Sequence, residues 1–322
     1  MRPTPGTTLL RPDLGALNFE YAVEASQRGF IGTTIMPYFP TALASGSYPV
    51  IPAEVFLKLP DTHRTARAGY ARSDWQFSDD TYSCQEYGFE EVIDDSERNM
   101  YEGIYSELDI EAISAMRAMD ILLRGQEKRI ADMVFNTSNL TAHAVTTEWS
   151  TTATASPITD VRTGKEAVRK ACGLEPNILV IAKAVFDNLV MCAQIAERVQ
   201  YTTPVEMMDE EAQRRLLSQA LGVQVRVGNA IYDAAKKGQD LSATDIWDDE
   251  YALLARVPTN PLDLKEPCLG RTFLWTGDAP QEIVTEQYRS NEVRGDVIRV
   301  RTNVGEVFVC TAAAYLMSNI TA

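Results

Sequence analysis

Only two histidines, His63 and His143, occur in 322 residues, and that scarcity limits the chemistry the chain can carry. Imidazole is the side chain that titrates near neutral pH, so a histidine-based triad or metal centre has almost nothing to draw on. Five cysteines, Cys84, Cys172, Cys192, Cys268 and Cys310, contain no Cys-x-x-Cys pair. A zinc site or disulfide framework needs closer, paired spacing, so buried reduced thiols are the reading. Cys192 falls on a predicted helix with no histidine nearby to activate it as a nucleophile. Carboxylate clusters at Asp79-Asp80, Asp94-Asp95 and Asp248-Asp249-Glu250 lack the alternating ligand spacing of a calcium loop and are read as solvated surface. Thr163-Gly164-Lys165-Glu166 has the look of a phosphate loop but lacks its upstream glycine and the Ser/Thr after lysine. No GxGxxG and no GxSxG occurs. No catalytic residue, cofactor or metal is therefore expected, and the chain is not read as an enzyme.

The charge is −15, and its placement matters more than its size. Residues 51–95 balance to −6, 203–256 to −4 and 96–136 to −3, while 1–50 and 137–202 are neutral. No basic block exists to neutralise phosphates, which excludes a sequence-reading nucleic-acid binder. Spread acidity keeps a large surface soluble and repels DNA. The composition, 45% hydrophobic and 23% charged, is ordinary for a globular chain. No stretch approaches the ~20 apolar residues of a membrane helix. The N-terminus lacks the apolar core of a signal peptide, so synthesis in the cytoplasm is expected.

The elements that hold these residues are unusual. Residues 1–48 carry little periodicity and six prolines up to Pro49, and read as an extended arm. Residues 50–93 read as a long two-stranded excursion. Val55-Phe56-Leu57-Lys58-Leu59 is the outgoing run, and Tyr82, Cys84, Tyr87, Phe89 and Val92 form the return. Between them lies a polar tip with Arg64, Arg67 and Arg72. Asp94-Asp95-Ser96-Glu97 opens a helix whose apolar spacing continues to Asn136, predicting one backbone helix about 60 Å long.

A shorter helix from Pro157 to Cys172 is stopped by Gly173. Strands at 177–181, 223–227 and 251–257 alternate with helices at 183–192 and 209–221, which describes an α/β subdomain. Further strands are read at 271–276, 296–301 and 305–310, the last two as a hairpin turning at Thr302-Asn303-Val304-Gly305. An arm and an excursion that cannot bury themselves make sense if neighbouring copies supply their cores, as in a shell.

Several segments, in this order, resemble the major capsid proteins of tailed double-stranded-DNA phages with the Hong Kong 97-type fold. They are Thr163-Gly164-Lys165 to Cys172-Gly173-Leu174-Glu175-Pro176-Asn177-Ile178-Leu179-Val180-Ile181, Val185-Phe186-Asp187-Asn188-Leu189 and Ile195-Ala196-Glu197-Arg198-Val199-Gln200-Tyr201. Downstream come Ala220-Leu221-Gly222-Val223 to Tyr232, Asp245-Ile246-Trp247-Asp248, Leu253 to Pro258 and Ala313 to Asn319. The resemblance implies an α+β fold. Residues 1–48 would be its N-terminal arm, 49–95 its extended loop, 96–175 and 257–322 its peripheral domain with a spine helix at 96–136, and 176–256 its axial domain. The tail after the peripheral return is the part that could rejoin the axial domain.

It also implies pentamers and hexamers closing an icosahedral head around packaged DNA, assembled in the host cytoplasm, with portal, scaffolding and cement proteins as partners. Two departures from relatives stand out. Met1 opens directly on the arm, so scaffolding is expected from a separate protein. The only lysine of the loop is Lys58, near its base, where some relatives cross-link a loop lysine to a neighbour's asparagine. Arg64, Arg67 and Arg72 at the tip, pairing with carboxylates such as Glu97 and Glu102 of a neighbour, are the expected inter-subunit contacts. An encapsulin-type compartment on the same fold is the first alternative, and a soluble α/β enzyme the second.

Overall fold

The computed structural model describes residues 9–10, 29–50, 55, 57–67, 69–72, 78–104, 110–199, 209–278 and 280–321. Two sheets organise them in an α+β arrangement, joined by a long helix. The first sheet is built on β14 (Gly295–Phe308), a fourteen-residue strand. β13 (Val284–Ser290) and β5 (Gln85–Asp94) both pair antiparallel with its first half, so they flank it on opposite edges. β12 (Gly270–Trp275) pairs antiparallel with its second half and parallel with β2 (Tyr38–Thr41). β1 (Leu9–Leu10), from the arm, adds to the far edge of β13.

The hairpin expected at 302–305 does not form: β14 runs straight through it. Asn303 and Gly305 imitate turn chemistry, but their neighbours Thr302 and Val304 are buried. Gly305 serves a different purpose, because a Cβ there would lie 2.4 Å from Ser83 O. Glycine inside a strand marks close approach of another backbone as often as a bend. The hairpin turn lies instead between Ser290 and Gly295, which face each other at the ends of β13 and β14.

The excursion is a two-stranded ribbon, but not with the expected outgoing strand. β3 (Ser45–Val50) pairs with β4 (Ser78–Ser83), from Ser45↔Ser83 to Val50↔Ser78. Val55 and Leu57, read as strand, are helical. The physical reason is burial. Tyr48 packs 5.7 Å from the Phe273 ring and donates its hydroxyl hydrogen to Phe308 O at 3.1 Å, while Leu57 is 59% and Leu59 95% exposed. Exposed apolar side chains gain little from strand pairing.

The predicted 96–136 helix appears as α2 (Asp95–Ile104) and α3 (Ile110–Val134), with 105–109 outside the described residues. (α1 is the short turn Gly32–Ile35.) The buried face of α3 repeats every three or four residues, which is the helical period. Ala115 sits with Ile93 and Ile298, and Ala118, Met119 and Leu122 with Val300 of the first sheet. Farther along, Ile130, Ala131 and Val134 enter the main core of the second sheet.

That second sheet has the order β6-β15-β11-β7-β8. Its strands are β6 (Ala142–Ala144), β7 (Ile178–Ala182), β8 (Gln224–Gly228), β11 (Ala252–Ala255) and β15 (Ala314–Ser318). Every residue of β7 and β11 is buried, as expected for central strands covered on both faces. The helices α4 (Pro157–Cys172), α5 (Lys183–Met191), α6 (Ala193–Val199) and α7 (Glu210–Leu221) accompany it. Gly173 closes α4 at φ +79, the left-handed cap its sequence position predicts. β9 (Ile231–Asp233) and β10 (Ala243–Asp245) form a separate small antiparallel ribbon. Sheet membership thus joins 142–144 and 314–318 to the strands of 178–255, so the tail does return to the second sheet.

Candidate subunit-assembly surface

The excursion carries exposed apolar and cationic groups. Beyond the β3–β4 ribbon, Leu57, Leu59 and Tyr70 are exposed. Arg64, Arg67 and Arg72 are exposed as well. The Arg64 guanidinium lies 4.7 Å from the centroid of the Tyr70 ring, a cation–π contact. Arg67 takes φ +70, the left-handed region uncommon for a side chain of its kind. Glu97 is exposed in the first turn of α2, and Glu102 lies on the same helix, its side chain outside the described residues. In the chain, tip and α2 stand at opposite ends of the β4–β5 return, of which β5 alone spans about 34 Å.

At the foot of the excursion lies a charged network that sequence reading missed. Arg98 donates to Asp296 Oδ2 at 2.8 Å and to Glu111 Oε1 at 2.5 Å, and Asp296 is 1% exposed. Arg289 grips both carboxylate oxygens of Asp95 and reaches Asp296 Oδ1 at 3.3 Å. These groups tie the starts of α2 and α3 to the β13–β14 hairpin. Asp95 is therefore a paired residue, where the Asp94-Asp95 cluster was read as solvated. Asp94 accepts the Ser96 N–H at 2.6 Å, and that bond holds its carboxyl below the usual carboxylate range. The sequence carries a faint signal, an acid-first helix start with arginine one turn in, but its partners Arg289 and Asp296 are about two hundred residues away.

A second missed residue is Glu127 on α3, 3% exposed. Its Oε1 accepts the Ile31 N–H at 2.8 Å and the Trp247 indole N–H at 2.7 Å, and its Oε2 accepts the Gly32 N–H at 2.7 Å. Burial pushes the carboxyl above the usual range, against the pull of these three donors. Beside it, α3 and the β9–β10 ribbon enclose an open groove of about 790 Å³. Asp132, Asp245, Asp248 and Asp249 line it together with Phe135, Tyr232, Trp247 and Tyr251.

His143 stacks on Tyr315 with ring centroids 4.3 Å apart. All five thiols are free, and burial pushes Cys192 up to about 11, out of range for a nucleophile at neutral pH. Among the described residues no cluster of His, Cys, Asp or Glu could hold a metal ion, and no helix is long and apolar enough to cross a membrane.

No family model matches the sequence. The chain is 28% identical over 314 residues to the major capsid protein of Burkholderia phage BcepMu, covering 93% of this chain and 94% of that one. Its structure is similar to that of a phage-related protein from Bordetella bronchiseptica, with a TM-score of 0.70, 22% identity and 98% of each chain covered. It is also similar to the capsid of cyanophage P-SCSP1u, with a TM-score of 0.57 and 10% identity, covering 88% of this chain and 86% of that one. The chain has the Hong Kong 97-type capsid fold. The structure is similar as well to that of a virus-like particle from Pyrococcus furiosus, with a TM-score of 0.54 and 11% identity, covering 93% of this chain and 96% of that one.

Proposed function

We propose that this chain is the major capsid protein of a tailed double-stranded-DNA phage. It assembles in the bacterial cytoplasm as pentamers and hexamers into an icosahedral head around packaged DNA. The observation that carries the reading is the extended ribbon, which ends in exposed Leu57, Leu59 and Tyr70 on a chain with the capsid fold. Exposed apolar side chains of this kind suit burial against a neighbouring copy. In this reading 1–48 is the arm, 49–95 the extended loop, 96–175 and 257–322 the peripheral domain and 176–256 the axial domain, except that 142–144 and 314–318 go with the axial sheet they pair into. Portal, scaffolding and cement proteins are the further partners. The acidity suits a container, since a lining that gripped phosphates would obstruct DNA entry.

Within the shell, Arg64, Arg67 and Arg72 pair with carboxylates of the adjacent subunit and set its register. Guanidinium groups favour such bidentate pairing. Glu97 and Glu102 are one acidic target, and the groove lined by Asp132, Asp245, Asp248 and Asp249 is another. An exposed pair is worth only about 0–1 kcal/mol, but the contact repeats around the shell.

The test is to express the chain and image it. Closed shells are expected, and replacing all three arginines with Gln should lower shell yield and raise salt sensitivity while leaving the subunit folded. Small oligomers alone would overturn the shell reading, and an unchanged yield and salt tolerance in the triple variant would overturn the tip contact. Purified native particles that hold an enzyme instead of DNA would favour the encapsulin-type alternative.

A further inference from the structure

The groove at the end of α3 combines aromatic rings with carboxylates. Phe135 packs edge-on against Trp247, with ring centroids 5.2 Å apart, and lies 5.9 Å from Tyr251. Trp247 is fully buried and its indole is held by Glu127, so this wall is set before anything binds. Tyr232 lines the groove from the β9–β10 ribbon, opposite Thr244 in its ladder. Asp132, Asp245, Asp248 and Asp249 line it as well, and all four are exposed. Lys128 is the cation of the lining: it pairs with Asp132, and its Nζ lies 5.4 Å from the centroid of the Tyr232 ring. Asp245, Asp248 and Asp249 have no ion pair among the described residues, so the groove keeps a negative excess.

The excursion tip is the complement of this surface. Residues 57–72 hold Lys58, Arg64, Arg67 and Arg72 against a single acid, Asp61. Beside these cations Leu59 is 95% and Tyr70 73% exposed. In its own chain no residue of the excursion lines the groove. A guanidinium can stack on an aromatic face while it hydrogen-bonds a carboxylate, and Lys128 already places an ammonium group between a carboxylate and a ring. On α2, Glu97 and Glu102 offer two carboxylates, whereas the groove offers four together with four rings.

We propose that this groove receives the excursion tip of an adjacent copy, with Arg64, Arg67 and Arg72 set among its aspartates and rings. The inference rests on the shell reading in taking the partner to be a second copy. Charge complementarity gives the contact its orientation and specificity, and the fixed aromatic wall gives the tip's apolar side chains a surface to cover. Tip and groove are different surfaces of one chain, so the contact is heterologous and passes head to tail from copy to copy, which is how rings are built.

The experiment has two arms, both on full-length protein. In the first, a fluorescent synthetic peptide of residues 57–72 is titrated into the wild-type subunit. Binding is expected to weaken with added salt and to be about tenfold weaker in Asp245→Asn/Asp249→Asn. In the second, Arg64→Glu/Arg72→Glu and Asp245→Lys/Asp249→Lys are each expected to lower the yield of closed particles about tenfold, and their combination to restore most of it. Circular dichroism checks that the variants fold, and a variant that does not leaves the peptide arm to decide. Absent peptide binding, equal binding by the Asn variant, or a combined variant of folded parents that assembles no better than either overturns the groove contact. So does rescue of the arginine variant by Glu97→Lys/Glu102→Lys, which would place the tip on α2. Wild-type particles in those cases still support the shell; a wild type that binds the peptide at the groove but forms no particles keeps the contact and overturns the shell.

Discussion

The Trp247 indole N–H donates to Glu127 Oε1 at 2.7 Å across 120 residues of chain. Glu127 thereby holds together the long helix, the loop that follows the β9–β10 ribbon, and the backbone at Ile31 and Gly32. A buried carboxylate with three donors is expensive to disturb, since each donor left without a partner costs about 1–3 kcal/mol. Glu127→Ala is therefore expected to destabilise the subunit by about 3–5 kcal/mol. Urea unfolding of the soluble subunit measures this, and a loss under ~1 kcal/mol would show that the contact is incidental.

The same carboxyl gives a pH dependence with a definite sign. Burial raises its folded-state proton affinity above the unfolded value of 4.5. Its stabilising contribution is thus fully present below pH 4.5 and is lost as pH rises through the folded value. Across that window the wild-type subunit should lose stability more steeply than Glu127→Gln, which cannot titrate. Parallel stability profiles for the two proteins would contradict the shift.

Burial should separate two superficially similar ion pairs. Arg98 is 8% exposed and faces Asp296, whereas the Arg117 side chain is 69% exposed at 3.3 Å from Glu91. Arg98→Ala leaves a buried carboxylate short of a partner and is expected to cost about 3–5 kcal/mol. Arg117→Ala is expected to cost under ~1 kcal/mol. Equal losses in the two variants would mean that burial does not govern these pairs.

A shell of this chain is expected to hold without covalent links between subunits. Lys58 is exposed at the base of the loop and the described tip carries arginines, which do not form isopeptide bonds. Boiled, reduced particles should run as one band near 35.7 kDa on a denaturing gel. A ladder of multiples would refute the expectation.

Deleting residues 1–25 should leave the subunit folded. In the described part of that segment, Leu9–Leu10 adds two residues to the outer edge of β13, while Phe30 and Ile31, beyond the deletion, are in the core. Circular dichroism of the truncated chain should keep its helical signal, and an unfolded spectrum would place the arm in the core.

The sequence alone determined those elements whose signals are local. Gly173 and Gly222 end their helices because the left-handed cap costs glycine least, and Ile178–Ala182 is a buried strand because a short apolar run bounded by turn residues permits little else. It also shows two widely separated histidines and no closely paired cysteines. The shared order of many weak segments carried the resemblance to the capsid fold. Tertiary structure decided the rest. Asn303 and Gly305 look like a turn until Ser83 is seen against Gly305, and Val55–Leu59 looks like a strand until Leu57 and Leu59 are seen exposed. Glu127 gives no signal in the sequence, and only the fold brings Ile31, Gly32 and Trp247 to it. In each case the deciding partner lies tens to hundreds of residues away, and no periodicity of a local window encodes which distant backbone or donor will arrive.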